Sequence, residues 1–254
     1  MRKVLVTFGG KAYDPSIAMT IQNQSIAKVD EIRVYDDAWL LASPFYEQNK
    51  WIFEREPKNH LGHCSWKPYI IFDAMTKLTL GDVVLYVDGD THPIADLTPL
   101  FDMAAREKVV LFEATGVDNL RFTKAECFAR ILGKAPFSSQ HACGRFQLFT
   151  VGDMLSTVLL HEWQKYNLDP LCQFDEGSTT MPDQPEFFRN SAEQSVLSML
   201  AIRYKIPLHR EACQYGWPAH PGIGQPGDTY SQLFHQEWAT GPREDVSGSQ
   251  FRNV

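Results

Sequence analysis

The chain of 254 residues is 44% hydrophobic, enough to bury one sizeable core. A formal net charge of -7 and a pI near 5.6 argue against a broad basic face for nucleic acid. Five cysteines (64, 127, 143, 172 and 213) are odd in number and form no CxxC pair, which fits reduced thiols in the cytoplasm better than a disulfide framework.

The opening MRKVLVTFGG has too few consecutive apolar residues for a signal-peptide core. No run approaches the roughly eighteen apolar residues of a membrane span, so a soluble, cytoplasmic protein is expected. Lys3 to Phe8 (KVLVTF) predicts a buried strand halted by Gly9 and Gly10. A helix is expected over residues 16–27. Next comes a strand at Glu31 to Tyr35, running into Asp36 and Asp37. Strand, helix and strand at this spacing imply a parallel α/β sheet.

Trp66-Lys67-Pro68 begins the next helix, with Pro68 suited to the first helical position. Ile70, Ala74 and Leu78, beside Ile71 and Met75, give it an apolar stripe that Gly81-Asp82 ends. Then come VVLYVDGDTH at 83–92 and strands at VVLF (109–112) and FQLFTV (146–151). A helix over about 153–166 carries Leu155, Leu159, Trp163 and Tyr166 on one face.

Residues 167–190 read as a long irregular loop, a class that often supplies lids or binding surfaces. The helix over 191–204 has Ser191 and Gln194 at the spacing of a capping box. Gly, Pro and aromatics dominate 215–238, and 239–254 is polar enough for a mobile tail. With no repeat and no linker, one domain over 1–238 followed by that tail is expected.

The chemistry centres on Asp88 and Asp90. Side chains alternate along a strand, so the two carboxylates point the same way if the chain stays extended past Gly89. Like charges that close call for a cation, and hard oxygens suit magnesium, manganese or calcium. In open α/β sheets ligands bind beyond the carboxyl ends of strands, where Thr7, Phe8, Asp36, Asp37, Asp88 and Asp90 all fall. Turn chemistry is the competing explanation for acids at strand ends. Gly89 lets the backbone approach a ligand closely.

Two enzyme classes place Asp-x-Asp after an apolar strand. In haloacid-dehalogenase-like phosphatases the first Asp is a nucleophile and Gly-Thr follows the second. Here Thr91 follows Asp90 directly, and the pair Asp36-Asp37 lies upstream instead of downstream. The stretch VVLYVDGDTHPIADLTPLF (83–101) instead resembles the Asp-x-Asp region of nucleotide-sugar glycosyltransferases of the GT-A fold, such as glycogenin-like and lipopolysaccharide galactosyltransferases. Trp66-Lys67-Pro68-Tyr69-Ile70-Ile71 and Glu193-Gln194-Ser195-Val196-Leu197-Ser198 are similar to two further blocks of a group of bacterial and viral glycosyltransferase-like proteins. In this order the blocks extend the resemblance over about residues 1–205.

The resemblance implies a GT-A α/β domain with a mostly parallel sheet flanked by helices, and transfer of a sugar from a nucleotide-sugar, foremost a UDP-sugar, to an acceptor hydroxyl. It implies Mn²⁺ or Mg²⁺ on Asp88 and Asp90, with a late histidine, His235 or next His220, as third ligand. Thr7, Phe8 and Gly9 would frame the nucleoside, with a base packing beside Phe8. Asp36 or Asp37 would accept from base or ribose. Lys67 would complement phosphate or donor sugar, and Asp88 and Gly89 would also line the donor site. Glu193 and Gln194 are the catalytic candidates, although the family has Asp where Glu193 stands. A helix-dipole or capping role competes for both.

A phosphohydrolase built on Asp88 and a non-catalytic nucleotide or carbohydrate binder are the alternatives. The cluster His60, His63 and Cys64 lacks the matched second pair of a zinc finger. Gly9-Gly10 is not a GxGxxG fingerprint, so a dinucleotide oxidoreductase is not expected.

Overall fold

The structure is a computed structural model that describes residues 1–10, 13–55, 60–174, 176–218 and 224–237. The expected tail over 239–254, the boundary at residue 238 and His220 lie outside the described residues.

The strands, in chain order, are β1 (Lys3–Phe8), β2 (Glu31–Tyr35), β3 (Val83–Asp88), β4 (Thr91–Pro93), β5 (Val109–Asp118), β6 (Gln140–Ala142), β7 (Phe146–Thr150), β8 (Leu208–His209) and β9 (Phe234–Gln236). Among the described residues the main sheet runs β2-β1-β3-β7-β5-β6, with β8 paired to β5. β2, β1 and β3 are parallel neighbours. β7 runs against both β3 and β5. β8 is parallel to β5, and β6 antiparallel to it. Most strands therefore share one direction, as expected of this α/β fold, with β7 and β6 reversed. A separate antiparallel pair joins β4 to β9.

Period-two alternation divides the core between the two faces of the sheet. Val4, Val6, Phe8, Val84 and Tyr86 lie in the cluster shared with helices Lys67–Met75, Met154–Asn167 and Glu193–Tyr204. Leu5, Val83, Leu85 and Val87 lie in the other, with helix Thr98–Glu107 and with Leu233 and Phe234. Asp88 continues the alternation of Val84 and Tyr86, so it emerges on the side of helix Lys67–Met75.

Several local expectations are corrected. The helix over 16–27 is two helices, Asp14–Gln22 and Gln24–Ala27, divided at Asn23, whose side-chain amide donates to Pro93 O at 2.8 Å. Helix Lys67–Met75 stops short of Leu78. The capping box at Ser191 does not form. Ala192, with φ 47°, precedes helix Glu193–Tyr204, and Gln194 Nε2 donates to Ala142 O at 3.2 Å instead of turning back to Ser191. Ser195 Oγ takes over, accepting from Ser191 N at 3.0 Å and donating to Phe122 O at 2.7 Å.

The stretch 167–190 contains a short helix, Pro170–Gln173, and is fastened down beyond it. Glu126 Oε1 accepts from the backbone of Thr179 at 2.8 Å and Thr180 at 2.6 Å. Asp183 Oδ1 accepts from Ala125 N at 2.7 Å, at the start of helix Ala125–Leu132. These bonds hold the segment, expected to be a lid or binding loop, against that helix.

Candidate active site

The carboxyl ends of β1, β2 and β3 converge, and each delivers polar groups there. At β3 the chain does not stay extended past Asp88: it turns at Gly89–Asp90 before β4. A Cβ on Gly89 would lie 2.4 Å from Phe8 O, so only glycine lets the β3 end sit this close to β1. Asp88 N donates to Arg145 O at 2.7 Å, which ties the start of β7 to the same corner.

Lys67, at the start of its helix, is 3% exposed. Its ammonium lies 2.9 Å from Asp88 Oδ1 and 2.6 Å from Glu193 Oε1, and donates to Gly144 O at 2.9 Å. Those contacts engage its three donors. Lys67 was expected to complement phosphate or donor sugar, and in this structure its ammonium faces Asp88 and Glu193. Burial disfavours the ammonium, but Asp88 and Glu193 outweigh it and hold the Lys67 pKa well above the ordinary lysine value.

Glu193 shows the reverse balance. Burial pushes its carboxyl up, against the opposing pull of Lys67. Its main-chain carbonyl accepts from Trp163 Nε1 at 2.9 Å, fixing the helix end. Gln194 faces outward more than Glu193 does. Tyr86, fully buried on β3, donates its hydroxyl to Asp88 Oδ1 at 2.8 Å, so that oxygen has two partners before any ligand arrives.

Asp90 is held from the other side. Gln236 Nε2 donates to its Oδ2 at 3.0 Å and Thr91 Oγ1 to its Oδ1 at 3.0 Å. Burial first, and the neighbouring Asp88 second, raise its pKa above the ordinary carboxylate range. Gln236 Oε1 is buried with no hydrogen-bond partner among the described residues. His235 is not brought to the pair. Along β9 it alternates with Phe234 and Gln236, is exposed, and rests its ring 5.6 Å from that of His92. Among the described residues no three His, Cys, Asp or Glu side chains gather as a metal-binding group. The triad of Asp88, Asp90 and His235 is therefore not assembled, because the strand's period places Gln236 where the histidine was expected.

At the β1 end, Phe8 packs its ring against Trp66 at a centroid distance of 3.8 Å, and Thr7 is buried. A base was expected to stack or pack beside Phe8, whose ring here packs against Trp66. Asp36 caps helix Asp37–Leu41, accepting from Trp39 N at 2.8 Å, so the capping role accounts for it. Asp37 Oδ2 lies 2.6 Å from where a Cβ on Gly10 would stand, which brings this acid over the Gly9-Gly10 turn. Burial, then Asp36, raises its pKa.

Sequence reasoning missed Tyr86, Gln236, Arg145 and Glu211. The guanidinium of Arg145 bonds Glu211 Oε1, and its charge opposes the upward shift of Asp90. Tyr86 and Gln236 were legible in principle, each standing two positions or fewer from a singled-out residue in a period-two strand. The Arg145–Glu211 pair crosses 66 positions and leaves no local pattern.

No family model matches this chain, and no curated protein does. Solved structures do. The structural likeness is to glycosyltransferases. Mouse xyloside xylosyltransferase 1 in its apo form is 11% identical, with 92% of this chain and 97% of that one covered and a TM-score of 0.47. The glycosyltransferase GlyE of Streptococcus pneumoniae TIGR4 is 16% identical, covering 79% of this chain and 43% of that one, with a TM-score of 0.40.

Proposed function

We propose that the chain is a metal-dependent glycosyltransferase that holds the diphosphate of a nucleotide-sugar, foremost a UDP-sugar, at Asp88 and Asp90 and transfers the sugar to an acceptor hydroxyl. The observation that carries this reading is the charge at the end of β3. Among the described residues, Asp88, Asp90, Glu193 and Glu211 are met by the cations of Lys67 and Arg145, a deficit of two positive charges at one corner of the sheet.

A divalent cation fits that deficit. Asp88 and Asp90 would hold it, and the partnerless Gln236 Oε1 is a neutral hard oxygen beside them. Bound there, Mn²⁺ or Mg²⁺ would stabilise the negative charge that develops on the departing diphosphate.

The protein's own groups have separate tasks. Lys67 and Tyr86 fix the rotamer of Asp88, leaving its second oxygen for the ligand. Gln236 and Thr91 orient Asp90. Asp37, beside the glycine turn after β1, accepts from the nucleoside, with Thr7, Phe8 and Gly9 forming the floor. Glu193 positions Lys67 and through it Asp88. Gln194, the less buried of the two, would touch the sugar.

The test is direct binding and turnover. Isothermal titration with Mn²⁺ and UDP, and chromatographic detection of sugar release from a panel of nucleotide-sugars, should both be positive for the wild type. Asp90→Asn should abolish the metal-dependent binding without unfolding the chain. Phosphate release from simple monoesters in place of sugar release would favour the phosphohydrolase. Donor binding without turnover across broad acceptors would leave a binder.

A further inference from the structure

Among the described residues β2 ends the main sheet, and β1 is the strand it pairs with. Gly9 N donates to Tyr35 O at 3.1 Å, so the main chain of Tyr35 faces β1. Main-chain groups alternate in direction along a strand. Those of Arg33 and Glu31 therefore face β1 as well, and the N–H and C=O of Ile32 and Val34 face outward. No hydrogen bond joins these outward groups to another described residue.

A strand that stays unpaired commonly carries a device against pairing, such as a proline, a bulge or a lysine. β2 (EIRVY) has none of these, and its register with β1 is unbroken from Glu31 to Tyr35. Val34, on the face opposite Arg33, is 43% exposed. Such an edge is a template for strand addition, and its side chains decide which strand fits.

Glu31 and Arg33 lie two positions apart on one face, with Arg33 Nε 2.5 Å from Glu31 Oε1. Arg2 meets Glu31 Oε2 at 2.6 Å, and Arg33 Nη1 donates to Ala74 O at 2.8 Å, so both side chains are ordered in advance. Run antiparallel against itself, the segment is self-complementary in one register. A two-fold axis perpendicular to the sheet keeps each face on its own side, so it must pass between two copies of the same residue. Centred on Arg33, it sets that arginine against its own copy and Asp30 against Asp36. Centred on Val34, it sets Ile32 against Asp36. Centred on Ile32, it sets each Glu31 against the other copy's Arg33, at the pairs without mutual hydrogen bonds, where facing side chains come closest. The two Ile32 residues then exchange main-chain hydrogen bonds, and two glutamates and two arginines close a ring of alternating charge around the axis.

We propose that β2 is the interface of a homodimer, in which two copies pair antiparallel about Ile32 and join their sheets edge to edge. The axis reverses strand direction, so the carboxyl ends of β1 and β3 point opposite ways in the two copies, and the two candidate sites stand at opposite ends of the joined sheet. This pairing is independent of the reaction performed there.

Sedimentation velocity of the full chain across a range of concentrations should show a species of twice 28.9 kDa that dissociates on dilution. Val34→Pro removes an outward N–H, a loss that an edge strand tolerates, and should give a monomer with the wild-type melting temperature. Arg33→Glu sets like charges opposite one another and should weaken association at least about tenfold. Adding Glu31→Arg to it restores opposite charges and should restore the dimer. Facing Cα atoms about 5.5 Å apart suit a disulfide, so Ile32→Cys treated with a small disulfide oxidant should cross-link the two copies. A monomer at every concentration overturns the proposal. A dimer that survives Val34→Pro, or that does not cross-link through Ile32→Cys, meets elsewhere and also overturns it. Assemblies larger than two would do the same, because this axis closes on itself.

Discussion

The ammonium of Lys67 lies 2.6 Å from Glu193 Oε1 although 126 positions separate the two residues. Both are buried, and Asp88 completes the group. Removing one member of a buried ionic cluster costs about 3–5 kcal/mol, because the remaining charge has no water to replace its partner. Lys67→Met should therefore destabilise the fold by that order in urea denaturation. Glu193→Gln, which leaves Lys67 paired with Asp88, should cost clearly less. Equal losses for the two would mean that Lys67 does not serve both acids.

Gly89 directly follows β3, and a Cβ there would meet main chain, Phe8 O, which cannot rotate away. Gly89→Ala should cost about 1–3 kcal/mol of stability, as overpacking does, and should abolish manganese-dependent UDP binding by displacing Asp88 and Asp90. A variant that keeps wild-type melting temperature and affinity would show that the close approach is not needed.

On the proposed reading, manganese and protons would compete for Asp90. Burial and Asp88 favour its protonated form, so metal affinity should fall on acidification while ordinary exposed carboxylates, with pKa near 3.9, are still ionised. Titration of Mn²⁺ by calorimetry across the acid range checks this. In the same assay Gln236→Leu should weaken binding about tenfold, and His235→Ala should change it less. The reverse order would restore the histidine as ligand.

His209 bridges two acids, with Nδ1 2.7 Å from Asp228 Oδ1 and Nε2 2.8 Å from Glu107 Oε2. Burial opposes its charge, but the two carboxylates prevail and its pKa lies above the ordinary 6.5. A raised folded-state pKa gives stability that is complete below about pH 6.5 and is lost as pH rises through the folded value. Urea denaturation should show His209→Gln trailing the wild type most near about pH 6 and less by about pH 9. A gap that does not vary with pH would remove the charged bridge from the account.

How much of this was legible depended on range. β1 and β3 are runs of Val and Leu closed by Gly or Asp, and a buried parallel strand reads that way from local sequence alone. Asp88 and Asp90 stood out for the same local reason, and Glu193 through the resemblance of its helix block. β4, β8 and β9 are two or three residues long and exist only because distant partners meet them, so no periodicity announced them. Lys67 was recognised as important and assigned to phosphate or donor sugar, since a sequence shows a charge and not the carboxylates that face it. His235, with His220 next, was chosen on ligand chemistry, and strand alternation places the Gln236 amide beside Asp90.

Gln236 reaches Asp90 across 146 positions, and Glu237 N donates to Asp90 O beside it. At roughly 5–20 residues per second, a ribosome that has made the acids needs roughly 7–30 seconds more to make the segment that clasps them. Translation thus lays down β1, β2 and β3 early and closes the corner at their ends late, with one of the last described stretches to emerge. A nascent chain stalled before residue 234 would carry a formed strand end with its acids open to water.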